Sequence, residues 1–232
     1  MRFGVVVFPG TWSDCDFHYV VSEVLHQPVR YVWHRERDLS ELDCVILPGG
    51  FSYGDYLRAG AVAGRSPVVE ALREFVGRGG LVLGSCNGFQ ILCEAHLLPG
   101  ALTRNTGLHF VNRDTKIRIE SNRTQWTTGY TRGQVITVVL KSGVGAYVAD
   151  QATLAQLAAA DCVIARYAGE SPNGSADDIA GIASEQGNVV GLMPHPEHAI
   201  DALTGPGSDG LGFFTSILAT ARRHQTAQAA GA

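Results

Sequence analysis

The chain has 232 residues, a net charge of -4, 45% hydrophobic residues and 17% charged ones. That balance excludes a disordered chain and suits one α/β domain with a sizeable core. The mild acidity gives no general drive toward nucleic acid or a membrane surface, and no apolar run approaches the ~20 residues of a spanning helix.

FGVVVF (3–8) is a short, β-rich apolar run that stops at Pro9-Gly10 and predicts a buried strand. Residues 14–26 place Phe17, Val20, Val21, Val24 and Leu25 near helical spacing. VRYVW (29–33) and CVILPGG (44–50) predict two more strands, the second ending in Pro-Gly-Gly. Residues 67–77 predict a helix with Pro67 in its first turn. GLVLG (80–84) predicts a strand and 87–95 a helix. Strands alternating with helices imply a parallel sheet covered on both faces. The middle differs: HFVNRDTKIRIE, QWTTGY and QVITVVL predict short strands in an antiparallel extension beside that sheet. An Ala-rich helix follows at 151–160, then strands at 162–167, 179–184 and 189–193, the last two joined by a Gly187-Asn188 hairpin turn. A last helix covers 210–223, and about 225–232 predicts a frayed tail to a single domain spanning 1–232.

Five cysteines (Cys15, Cys44, Cys86, Cys93 and Cys162) are widely spaced with no C-x-x-C. This argues against a disulfide framework and against a zinc site, so no metal is expected. The first residues lack the apolar core and cleavage site of a secretion signal. A reducing cytoplasm is the expected location.

In a sheet of this kind, loops at the carboxyl ends of the strands hold the site. Three stretches fall there: PGGFSYGDYLRAG (48–60), GSCNG (84–88) and PHPEH (194–198). G-x-C-x-G between strand and helix has two readings. One is a tight turn with a chance cysteine. The other is a nucleophile elbow, whose glycines let strand and helix approach and whose helix N-terminus favours thiolate. In the second reading Cys86 is the nucleophile and the Asn87 N–H serves an oxyanion. A thiol nucleophile calls for a base and an orienting group. Of eight histidines, His195 lies just past a strand between Pro194 and Pro196, with Glu197 two residues on. In an extended segment Glu197 shares its side, and the rival base His198 faces away. The glycine loop matches no phosphate-binding pattern. Gly49-Gly50 suits a backbone N–H aimed at a substrate carbonyl, and Ser52, Tyr53, Asp55, Tyr56 and Arg58 suit a zwitterion or a partner protein; a structural Ω-loop is the plain alternative.

Together GVVVFPGTWSDCD, PGGFSYGDYLRAGA, LGSCNGFQIL, LLPGALTRN, NGSADDIAGI and GNVVGLMPHPEHA resemble the class I, triad-type glutamine amidotransferases from end to end. Within that class the PGGFSYGDYLRAG loop is similar to that of the small glutaminase subunits of phosphoribosylformylglycinamidine synthases. The resemblance implies a flavodoxin-like three-layer α/β/α sandwich, with Cys86 as nucleophile, His195 as base and Glu197 as its orienter. It also implies oxyanion donors at Gly50 and Asn87, and contacts to glutamine from Gly49, Phe51 and Gln90. No cofactor is implied in this chain. ATP and Mg²⁺ are implied for a large synthetase subunit that receives the ammonia, and the third implied partner is a small bridging subunit. The chain departs from the pattern at Ser85, where relatives carry a branched apolar residue. It also departs at Ser142 and Val144, where many carry His and relatives carry Glu, and at His198, where many carry Arg. Two other readings remain: a cysteine peptidase or deglycase on a related sandwich, and a non-catalytic subunit in which Cys86 senses redox state.

Overall fold

The computed structural model describes residues 1–230, with side chains through 220. Its strands are β1 (Phe3–Val7), β2 (Val29–Trp33), β3 (Cys44–Leu47), β4 (Leu81–Ser85), β5 (Ala101–Thr103), β6 (Val111–Ile119), β7 (Val135–Ser142), β8 (Ala146–Val148), β9 (Val163–Tyr167), β10 (Ile179–Ala183) and β11 (Val189–Leu192). The helices are α1 (Asp14–Tyr19, continued by a π-turn at Val20–Val24), α2 (Pro67–Gly77), α3 (Asn87–Glu94), α4 (Gln151–Ala159) and α5 (Leu211–Ala230). Six of the predicted tail residues therefore lie within α5, and 231–232 lie outside the described residues.

One sheet carries nine strands in the order β2-β1-β3-β4-β11-β10-β9-β6-β7. The first five run parallel, and each later pairing is antiparallel. The antiparallel part is thus continuous with the parallel sheet. The sequence patterns account for the split. β3, β4 and β11 are buried at every residue, as strands covered on both faces must be. β7 alternates exposed or intermediate with buried residues, the mark of a strand with one wet face. The Gly187-Asn188 turn joins β10 to β11 as expected.

QWTTGY is not a strand. It forms turns, with Thr124, Trp126, Thr127 and Tyr130 buried, a spacing that a period-two strand cannot produce. Trp126 is fully buried, and the Tyr130 ring packs edge-on against Phe213 of α5 with centroids 5.1 Å apart. Its aromatics anchor the helix instead of extending the sheet. β5 and β8 form a separate two-stranded sheet.

Two glycines set the distance between α3 and the sheet. A Cβ at Gly84 of β4 would strike Leu92 and Gly88, and one at Gly88 would strike Leu47 of β3. Their absence lets α3 start directly over the sheet, with every residue from Asn87 to Cys93 buried. This close seating aims the start of α3 at the strand ends.

Candidate active site

Cys86 is the N-cap of α3, one residue past β4, with φ 51° and ψ -105°. Positive φ is costly for a residue with a Cβ and persists where the surroundings impose it. Here the Cys86 N–H is held by Leu192 O of β11 at 2.8 Å, and its carbonyl accepts from Phe89 and Gln90. These bonds hold Cys86 in the strained conformation that the elbow reading requires. Cys86 Sγ reaches the Lys141 carbonyl of β7 at 3.5 Å. The Asn87 N–H is a first-turn donor with no partner of its own within the helix.

β7 also holds the histidine. The His195 N–H donates to Val139 O at 2.8 Å. Its Nδ1 bonds Glu197 Oε1 at 2.6 Å, and both residues are buried. The buried His195 Nε2 has no hydrogen-bond partner among the described residues. Gly49 explains how thiol and ring come together: a Cβ there would lie 2.5 Å from His195 Cε1 and 3.4 Å from Cys86 Cβ. Burial alone would lower the His195 pKa. The charges of Glu197 and Cys86 outweigh it and push the imidazole up to about 10. Burial would likewise raise Glu197, but the His195 charge beside it holds the carboxyl below its ordinary value. An ionised Glu197 thus faces an imidazole that is readily protonated.

The segment after His195 is not extended. Pro196–His198 is a 3₁₀ turn, and residues three apart in such a turn eclipse. His198 therefore does not face away. Its ring stacks on His195 with centroids 4.9 Å apart, while its Nε2 bonds Asp16 Oδ2 at 3.0 Å. His195, Glu197 and His198 bring potential metal ligands within 4.8 Å of one another. Nδ1 of His195 is committed to Glu197 and Nε2 of His198 to Asp16, and the two rings lie face to face. The set is two hydrogen-bonded pairs joined by stacked rings and not a cage converging on an ion.

Ser85 also contacts Glu197. It is wholly buried, and its Oγ lies 3.4 Å from both Glu197 Oε2 and Pro194 O. A branched apolar side chain would leave that carboxylate oxygen without the hydroxyl. Replacing Ser85 by Ala is expected to lower kcat by about threefold to tenfold, the scale of one ordinary hydrogen bond, with KM unchanged. Steady-state kinetics checks this, and an unaltered kcat would show the hydroxyl to be idle.

Three of the remaining predicted residues line one cleft of about 170 Å³, open to solvent, together with Cys86 and His195, while Gly49 and Asn87 are not among its lining. Gly50, Phe51 and Gln90 border it, joined by Trp12, Asp55, Phe110 and the 141–144 turn. Gly50 has φ 149°, and a Cβ there would meet Gly10 O at 2.6 Å, so the 10–12 segment clamps it. Gln90 is largely committed to bracing the walls. Its Nε2 donates to Val144 O at 2.6 Å, and its Oε1 accepts from Asn87 Nδ2 at 2.8 Å. The Asn87 side chain in turn accepts from the Ser52 N–H at 3.2 Å. At 144 a backbone carbonyl makes the contact, so this bond does not depend on the valine side chain. Phe110 had no signal in the sequence, and Trp12 and Asp16 stood only inside the GTWSDCD stretch, so all three join the site through the fold. Ser85, adjacent to Cys86, had one.

Comparison with known proteins shows the family of the chain. A family model for the CobB/CobQ-like glutamine amidotransferase domain matches residues 1–210. The chain is 58% identical to the phosphoribosylformylglycinamidine synthase subunit PurQ of Frankia casuarinae, covering 94% of this chain and 93% of that one. It is 54% identical to the protein of the same name from Trichormus variabilis, covering 94% and 97%. Among solved structures it matches a chain of PurLQS from Thermotoga maritima with a TM-score of 0.86 and 41% identity, covering 94% and 98%. The glutaminase domain of Trypanosoma brucei CTPS shares the fold at 14% identity and a TM-score of 0.59, covering 94% of each chain. The chain belongs to the CobB/CobQ-like glutamine amidotransferase family.

Proposed function

We propose that this chain is the glutaminase subunit of a phosphoribosylformylglycinamidine synthase, working as a single domain over 1–232. The observation that carries this reading is the strained Cys86 beside the buried His195–Glu197 pair, in a chain similar over 94% of its length to subunits of that name. A peptidase, a deglycase or a redox-sensing protein would not account for that similarity.

In this account His195 takes the Cys86 proton, and the thiolate attacks the side-chain amide carbon of glutamine. Negative charge on the amide oxygen falls on the N–H groups of Asn87 and Gly50, each worth about 3 kcal/mol of barrier. His195 then protonates the departing ammonia, leaving a glutamyl thioester on Cys86. Water, activated by the same imidazole, hydrolyses the thioester to glutamate and restores the thiol. Glu197 holds the ring through Nδ1 and stabilises its charge at each proton transfer. Gly49, Phe51 and Gln90 shape the pocket for the substrate.

The ammonia passes to a large synthetase subunit. That partner uses ATP and Mg²⁺ to convert formylglycinamide ribonucleotide to formylglycinamidine ribonucleotide, with a small bridging subunit between the two. This chain's own steps use no cofactor. Trp12, Phe51, Leu57, Leu108 and Phe110 are exposed apolar side chains, and three of them border the cleft mouth, which supports docking of the synthetase there. Five free thiols fit a reducing cytoplasm.

The test is reconstitution with the synthetase and bridging subunits. Glutamine hydrolysis is expected to accompany formation of formylglycinamidine ribonucleotide one for one. Amidation from glutamine that proceeds equally well without this chain would contradict the reading.

A further inference from the structure

The loop after β3 holds an acidic side chain that the mechanism above does not use. Tyr53, Asp55 and Leu57 all have positive φ (54°, 54° and 70°), as does Gly54 (66°). Such a run is sterically costly and persists only when its surroundings impose it. Both flanks of Asp55 are tied down. Tyr53 OH bonds His34 Nδ1 at 2.9 Å, and the Tyr53 N–H donates to Pro9 O at 2.7 Å. On the other side Arg58 forms a two-pronged pair with Glu94, at 2.5 and 2.6 Å. The nearest arginine in the chain is thereby committed elsewhere.

Asp55 itself is half-buried and borders the same cleft as Cys86 and His195. Its Oδ1 is buried with no hydrogen-bond partner among the described residues. Burial pushes its carboxyl up to about 6, and no neighbouring positive charge offsets that cost. A carboxylate oxygen withdrawn from water and left unpaired is destabilising unless a ligand completes it. The cleft wall, the anchored loop and the vacant acceptor together describe half of an ion pair.

We propose that Asp55 receives the α-ammonium group of the substrate, so that the cleft selects a free amino acid carrying a side-chain amide over amides that lack that charge. The inference rests on the glutaminase reading and adds its specificity determinant. Glutamine carries its ammonium on the carbon three bonds from the amide carbon that Cys86 attacks, so one molecule presents both groups to one cleft. A substrate without the ammonium leaves the carboxylate buried and unpaired, and a site of this kind rejects such analogues strongly.

The experiment uses the chain assembled with its synthetase and bridging subunits. It compares kcat/KM for L-glutamine and for 4-carbamoylbutanoate, which keeps the side-chain amide and lacks the amino group. The wild-type assembly is expected to prefer glutamine by about 100-fold or more. Asp55→Asn is expected to lose about 30-fold or more on glutamine, mostly through KM, and less than about threefold on 4-carbamoylbutanoate. Asp55→Ala serves as the second variant and is expected to show the same collapse of preference. A merely structural aspartate would depress both substrates alike. Preference retained in both variants, or equal losses on both substrates, overturns the proposal and leaves the glutaminase reading standing. A wild-type assembly that hydrolyses neither amide overturns the glutaminase reading, and this proposal with it.

Discussion

Replacing Cys86 by Ala is expected to abolish amidation from glutamine, by about 10⁴-fold or more, while amidation from added ammonium salt continues at the wild-type rate. The magnitude follows from losing the nucleophile, since the oxyanion donors and binding alone leave only a small residue of catalysis. The split between nitrogen sources follows from the division of labour: this chain makes ammonia and the synthetase consumes it. The fold is expected to survive. Cys86 carries strain at φ 51°, and its thiol touches the site only through a carbonyl at 3.5 Å and the His195 ring. Equal loss with both nitrogen sources would mean that the substitution disrupts assembly, and retained glutamine use would remove Cys86 from the chemistry.

Glu197→Ala carries the second large effect, on rate and on stability together. Without the carboxylate, His195 Nδ1 loses its partner at 2.6 Å and Ser85 Oγ loses one of its two acceptors. The ring is then free to take the wrong tautomer or orientation, which costs about 10³- to 10⁴-fold in kcat in triads of this logic. Both residues are buried, so breaking the pair is also expected to destabilise the fold by about 3 kcal/mol. The pH dependence has a definite sign. His195 is raised from 6.5 to about 10, so its contribution to stability is fully present below 6.5 and is lost as pH rises through about 10. Glu197 is depressed, so its contribution is present above its ordinary 4.5 and is lost only as pH falls through its lower folded value. The stability gap between wild type and Glu197→Ala, read by urea unfolding, is therefore expected to be widest between about 4.5 and 6.5 and to shrink as pH rises from 6.5 toward 10. A gap independent of pH would show that the pair is not ionic.

The sequence exposes Cys86 and His195 because each stands just past the end of a strand. Buried strands read as short apolar runs, and the glycine-flanked cysteine and the Pro194 segment follow their ends. Cys86 and His195 could thus be placed on one sheet edge without knowing any contact. What escaped depends on contacts between distant residues or on local geometry that composition does not show. The Asp16–His198 bond spans 182 positions. The stacking of His198 on His195 required a 3₁₀ turn where an extended segment was expected. Trp126 and Tyr130 resembled strand residues because aromatics favour strands, yet their inward spacing belongs to turns. β5 and β8 are three residues each, too short to show any period. The function of β7 was equally hidden. It reads as a half-wet strand of an extension, but its carbonyls at 139 and 141 hold His195 and contact Cys86.

The most direct measurement incubates the assembled complex with 6-diazo-5-oxo-norleucine, an electrophilic glutamine analogue, and reads intact and peptide masses of this chain. The account predicts one adduct, on Cys86, suppressed by glutamine and missing in Cys86→Ala. Labelling confined to another cysteine, or none at all on a complex competent with ammonium salt, would contradict it.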